Sequence, residues 1–117
     1  MEKIREMRVF IESEELSDRV WKHVAAWEDF PRNTLGMELV NSMDAFNTCI
    51  VESYSHKSQH GRLHYLYTAR GALFKSFILL EKAARRELGE VTDFRERLEK
   101  LMPQINEYIL AAEHSAD

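Results

Sequence analysis

Three histidines lie at four-residue intervals, His56, His60 and His64, and Glu52 precedes the first of them by four residues. Side chains at that spacing stack on one face of a helix, where two imidazoles can hold zinc or nickel. Residues 54–58 are polar, however, and predict a loop, so His56 would lie outside the helix. We therefore interpret the row as a solvated loop and first helical turn, and we predict no metal site.

The residue types that support nucleophilic catalysis are not arranged for it. Cys49, the one cysteine, lies between Phe46 and Ile50 near an apolar stripe, where an inert buried thiol is typical. The sequence has no Glu-x-x-His pair, glycine-rich phosphate loop, serine elbow or paired-carboxylate constellation for acid–base catalysis. One cysteine also excludes an intrachain disulfide and favours a reducing compartment. We predict neither enzymatic activity nor a cofactor.

Charge is unevenly distributed along the 117 residues, whose net charge is −4. Residues 1–55 hold 11 acids and 6 bases and residues 87–117 hold 8 acids and 3 bases, whereas residues 56–86 hold one acid and 7 bases. A basic segment of this kind usually pairs with acidic neighbouring helices. If it binds phosphate instead, the contacts would be Lys57, Arg62, Lys82, Arg85 and Arg86. The negative net charge of the whole chain argues against a dedicated nucleic-acid-binding protein.

Apolar residues recur every three or four positions over almost the whole chain, and this spacing predicts helices. We expect an N-terminal arm over residues 1–10 and helices over residues 12–29, 35–55, 59–88 and 93–113. Pro31 would end the first helix, Gly89 would stop the third, and Pro103 would kink the fourth. The whole chain, residues 1–117, is then one all-α domain, an antiparallel up-down-up-down four-helix bundle. No apolar run approaches the ~20 residues that a membrane span needs.

Arg70 lies in the middle of the third helix's apolar stripe, between Leu66 and Leu73. An unpaired buried charge is costly, so two interpretations remain open. Either the stem of Arg70 packs while its guanidinium reaches water, or the guanidinium forms a structural ion pair. Glu52 is our candidate partner, directly or across a contact between subunits.

The third helix has a second apolar row, Tyr65, Ala72 and Leu79, nearly opposite its core stripe, and Tyr67, Phe74 and Ile78 flank that stripe. Such a helix would expose more apolar area than monomers usually do. The N-terminal arm could cover the row within one chain. We favour a closed homo-oligomer with this row at the interface, because cyclic symmetry satisfies a repeated patch without open-ended growth.

The residues between 49 and 73 resemble the signature of the 23S rRNA-intervening-sequence protein family, a family of four-helix bundles. The matching positions are Glu52, Ser58, Ala69, Arg70, Gly71 and Leu73. The chain departs from the signature at Cys49, Ser53, Ser55, His56 and Ala72. The resemblance extends over roughly residues 10–112.

This resemblance implies an antiparallel four-helix bundle, assembly into five-subunit rings and no enzymatic activity. A similar bundle, the accessory variability protein of diversity-generating retroelements, binds a reverse transcriptase and nucleic acid. We therefore expect a non-enzymatic, ring-forming scaffold or adaptor of a bacterial cytoplasm, with the homopentamer implied by the resemblance alone. The alternative is an accessory protein that contacts RNA, DNA or a reverse transcriptase through its basic third helix.

Overall fold

A computed structural model describes residues 7–115. Its main helices are α1 (Arg8–Ala25), α2 (Met37–Ser55), α3 (Gln59–Arg85) and α4 (Thr92–Glu113). A short helical turn, Asp29–Pro31, and a π-helical turn, Arg32–Gly36, lead into α2. No strand occurs among the described residues, and the all-helical class predicted from the apolar spacing is confirmed.

The four helices pack around one core. α2 contacts α1 and α3, α3 also contacts α4, and α4 contacts α1. The largest fully buried side chains come from all four helices and include Leu16, Leu39, Met43, Phe46, Ile50, Leu73, Leu80, Leu98, Leu101 and Ile105. Because burying one such side chain contributes about 1.5–3 kcal/mol, apolar packing is the main interaction that holds the helices together. None of the helices within residues 7–115 combines the length and the apolar composition that a membrane span requires.

α1 begins and ends four residues earlier than the predicted range of 12–29. Its buried face starts at Val9 and continues through Leu16, Val20 and Val24. Ile11, between Val9 and Leu16, is exposed. Residues 8–10 of the predicted N-terminal arm thus belong to α1, and residues 1–6 lie outside the described part of the chain.

Pro31 lies at the start of a helical segment, not at the end of one as predicted. It is the third residue of the turn that begins at Asp29, a position where the missing N–H removes no helical hydrogen bond. The π-helical turn after it packs closely on α1. A Cβ atom added to Gly36 would lie 2.6 Å from Cγ1 of Val24 and 3.3 Å from Cε3 of Trp27. α2 itself begins at Met37, two residues after the predicted start, and helical turns lead into it from Asp29.

α3 ends at Arg85, three residues before the predicted end, and Gly89 does not stop it. Glu87 takes a left-handed conformation with a φ of 57°. The N–H of Leu88 then donates to the carbonyl oxygen of Ala83 over 3.0 Å. This is the Schellman arrangement, in which the residue after the C-cap usually is a glycine.

The connection between α3 and α4 is attached to α1 through His23. Nε2 of His23 lies 3.1 Å from the carbonyl oxygen of Leu88, and the imidazole meets the rings of Trp27 and Phe94 edge-on. Gly89 has a φ of 100°, and a Cβ atom there would lie 2.7 Å from the imidazole. Glycine is therefore needed at this position, because any side chain would collide with the ring of His23.

Candidate interaction surface

The side of α3 that points away from the bundle is apolar in its middle. Tyr67, Phe74 and Ile78 are exposed there by 41, 55 and 49%, respectively. Gly71 lies between them, and nothing lies within 4 Å of a Cβ atom added to it. At ~100° per residue these four positions form one stripe, which we call the α3 surface. Contiguous exposed apolar areas of this kind mark interaction sites.

A groove of about 380 Å³ between α3 and α4 extends the α3 surface. Its lining contains one carboxylate and is otherwise apolar, formed by Leu73, Phe74, Phe77, Leu98, Glu99, Met102 and Pro103. Because Phe74 belongs to both the stripe and the groove, the apolar area continues from the outer side of α3 to α4.

Arg70 borders the α3 surface and is half-buried. Its Nη1 donates a hydrogen bond to Oδ1 of Asn106 over 3.1 Å, and its Cζ lies 5.4 Å from the centre of the Tyr67 ring. These two partners, an amide oxygen and an aromatic face, compensate the partly buried guanidinium. Among the described residues of one chain no ion pair joins Arg70 to Glu52. An ion pair between subunits stays a prediction.

Glu52 contacts Tyr65 instead. The hydrogen bond and the negative charge of Glu52 raise the pKa of Tyr65 above its ordinary value. The rings of His56 and His64 each lie 4.9 Å from the Tyr65 ring, centre to centre. Two members of the histidine row therefore surround an aromatic side chain. Within residues 7–115 no three His, Cys, Asp or Glu side chains are grouped so that they could hold a metal ion.

The predicted oligomer row of Tyr65, Ala72 and Leu79 is not an exposed face. Leu79 is only 4% exposed, and the carbonyl oxygen of Ala72 accepts a hydrogen bond from Oγ of Ser42 in α2 over 3.0 Å. The row thus faces α2 of the same chain. The sequence showed apolar residues on nearly every side of this helix, but it did not show which side α2 covers. The exposed side lies about 200° of rotation away, at Phe74.

The five predicted phosphate contacts fall into two groups at opposite ends of α3. Lys57 and Arg62 lie near its start, whereas Lys82, Arg85 and Arg86 lie at its end. The helix between Arg62 and Lys82 is about 30 Å long. Arg62 is engaged within the chain, because its guanidinium donates to the carbonyl oxygen of Lys57 and, over 2.8 Å, to Oγ of Ser115. The second group forms no ion pair among the described residues.

Lys82 and Arg86 line a second groove, of about 840 Å³, together with the segment that leads into α2. Phe30 lies on the same groove and is 78% exposed. An exposed ring beside cationic side chains is the combination that single-stranded nucleic acids bind. Glu38 also lines the groove and partly offsets the positive charge.

Cys49 is buried on the inner side of α2. Burial, and next the charge of Glu52, raise the pKa of the Cys49 thiol above its ordinary value. Since the thiolate is the nucleophilic form, this side chain is poorly suited to covalent catalysis.

The chain matches no protein-family model, and the comparison with curated proteins finds no match. The geometry itself therefore defines the class of protein: a helical bundle whose third helix presents an apolar surface to its surroundings.

Proposed function

We propose that this chain is a non-enzymatic helical bundle that associates with copies of itself and acts as a scaffold or adaptor. The α3 surface is the observation that supports the proposal, because it exposes three large apolar side chains on one side of one helix. Association would remove them from water, which contributes about 25 cal/mol for each Å² of apolar area. A closed ring would leave no such surface uncovered. Five subunits rest on the family resemblance alone.

The proposed order of the helices is up-down-up-down. Two short connections support it, residues 56–58 and 86–91, while residues 26–36, which include two helical turns, join α1 to α2. Short connections are typical of antiparallel neighbours in a bundle. The one free cysteine accords with the reducing cytoplasm in which we place the protein. A crystal structure of the assembled protein would report both the helix directions and the number of subunits.

Light scattering coupled to size exclusion, at micromolar protein, tests the association. We expect the wild-type chain to elute with a mass several times the 13.8 kDa of one chain. The double variant Phe74→Gln, Ile78→Gln keeps helix-forming residues but removes the apolar contact, so we expect 13.8 kDa. Glu107→Lys, an exposed change on α4, is the matched control and should keep the wild-type mass. A wild-type chain of 13.8 kDa would contradict the proposal.

The second candidate function is nucleic-acid binding at the groove that Lys82, Arg86 and Phe30 share. Filter binding to single-stranded RNA and to duplex DNA tests it. If the groove binds, affinity for the single strand falls steeply with salt, and Lys82→Gln, Arg86→Gln removes most of it. The control Lys22→Gln, Lys100→Gln removes the same charge at two exposed lysines outside the groove and should retain binding. No binding at ~0.15 M salt would argue against this function.

A further inference from the structure

Helices α2 and α3 carry charges of opposite sign. α2 contains Glu38, Asp44 and Glu52 but neither lysine nor arginine. α3 contains five lysines and arginines and one acid, Glu81, which pairs with Arg95 of α4. The outward sides of the two helices therefore present opposite charges on one subunit.

The acidic charge lies beside exposed apolar side chains where α1 meets α2. Trp21 of α1 is 59% exposed, and it shares a groove of about 260 Å³ with the exposed side chain of Met37. Asp18 and Asp44 are exposed on the same two helices. We call Asp18, Trp21, Met37 and Asp44 the acidic surface.

The two carboxylates of the acidic surface are close enough to repel each other. Desolvation, and next the charge of Asp18, raise the pKa of Asp44 above its ordinary value. Within residues 7–115 neither carboxylate forms an ion pair. A cation supplied from outside the chain would relieve this repulsion.

The α3 surface has the complementary composition. Lys75 is exposed next to Phe74, and Lys82 follows Ile78 by four residues along the helix. Neither lysine forms an ion pair among the described residues. The two lysines beside the α3 surface and the two carboxylates of the acidic surface thus carry opposite charges, and none of the four forms an ion pair among the described residues.

We infer that the α3 surface of one subunit docks on the acidic surface of the next subunit, so that the interface is heterologous. This inference rests on the proposed self-association and specifies its geometry. Two α3 surfaces facing each other would oppose lysines, and two acidic surfaces would bring four carboxylates together. Pairing unlike surfaces places cations against carboxylates instead. A heterologous contact produces a ring when its rotation closes.

Mixing two association-deficient variants tests the inference. The variant Phe74→Gln, Ile78→Gln disables the α3 surface but keeps the acidic surface. The variant Asp18→Lys, Asp44→Lys disables the acidic surface but keeps the α3 surface. Each alone should have the 13.8 kDa mass of a single chain, and the equimolar mixture should form a 1:1 complex of twice that mass. Circular dichroism verifies that each variant is folded, and Glu107→Lys remains the control that associates like the wild type.

Each other outcome is informative. If Asp18→Lys, Asp44→Lys retains the wild-type assembly, the acidic surface is not part of the interface, and self-association stands without this geometry. If both variants are folded monomers but do not pair when mixed, the heterologous contact is wrong. If the wild-type chain itself has the mass of a monomer, the proposed function fails and the inference fails with it.

Discussion

The hydroxyl oxygens of Ser42 and Ser76 lie 2.8 Å apart inside the bundle, where α2 meets α3. Each hydroxyl also lies within hydrogen-bond distance of the Ala72 carbonyl oxygen, at 3.0 Å for Ser42 and 2.9 Å for Ser76. Two hydrogens can make two of these three contacts at a time. Because two hydroxyl oxygens 2.8 Å apart need a hydrogen between them, one serine donates to the carbonyl and the other donates to the first hydroxyl.

Each serine that is replaced by alanine should remove one hydrogen bond from the contact between α2 and α3. Ser42→Ala and Ser76→Ala are each expected to lower the free energy of unfolding by about 1 kcal/mol, because the remaining hydroxyl still bonds the Ala72 carbonyl. The double variant loses both bonds and should lose about 2 kcal/mol. Urea unfolding of the three variants measures this. A double variant as stable as either single one would contradict the arrangement.

Glu87→Gly is expected to stabilise the protein by about 1 kcal/mol. A side chain at left-handed φ costs roughly 1–2 kcal/mol, part of which the greater freedom of glycine in the unfolded chain offsets. Gly89→Ala is the matched change in the opposite direction, since φ is 100° there and the imidazole of His23 is close. It should destabilise the protein. Equal unfolding midpoints for Glu87→Gly and the wild type would show that the strain at Glu87 does not exceed this entropic offset.

Gly36→Ala should destabilise the fold by about 1–3 kcal/mol, because the added methyl overlaps Val24 and approaches the Pro31 carbonyl oxygen to 3.2 Å. Gly71→Ala is the control within a helix: its methyl meets nothing, so it should stabilise α3 by about 0.5–1 kcal/mol. Both changes are made in the Phe74→Gln, Ile78→Gln variant and compared by chemical unfolding, so that association does not contribute. A neutral Gly36→Ala would mean that the π-helical turn does not pack on α1 as described.

Asp44→Asn should make stability less dependent on pH. The raised pKa of Asp44 means that the folded chain binds this proton more tightly than the unfolded chain does. That stabilisation is present below the ordinary carboxyl pKa and is lost as the pH rises through the raised pKa. Asparagine resembles the protonated form, so we expect a gain of about 0.2–1 kcal/mol at pH 7 and none at pH 3. Thermal unfolding of the Phe74→Gln, Ile78→Gln variant at both pH values measures it, with Glu107→Gln as the control that should change nothing.

The helices themselves could be predicted from sequence because apolar spacing is a local property. Their ends depended on contacts between distant residues. The sequence predicted that Gly89 ends α3. The residue in the left-handed conformation after α3 is Glu87 instead, and glycine is needed at position 89 because φ is positive there and the His23 ring lies close. Likewise Pro31, which predicts a break, is accommodated in the first turn of a helical segment.

The candidate surface could be predicted only in part. The sequence showed that α3 is apolar on nearly every side, because the distribution of side chains around a single helix follows from its sequence alone. Which side stays exposed depends on how α2 packs: it covers Leu79 and leaves Phe74 outside. The acidic surface was missed for the same reason, because Asp18 and Asp44 come together only when α1 and α2 pack.

The π-helical turn Arg32–Gly36 has a consequence for the evolution of the chain length. A π turn holds one residue more than an α turn, so a single-residue deletion there can restore regular helix without rotating α2 about its axis. Asn33 is exposed in this turn, and its loss would leave Leu39 and the rest of α2 in the same register against the core. A point deletion elsewhere in one of the described helices would turn the apolar face beyond it away from its neighbours, whereas this turn can absorb the loss of one residue.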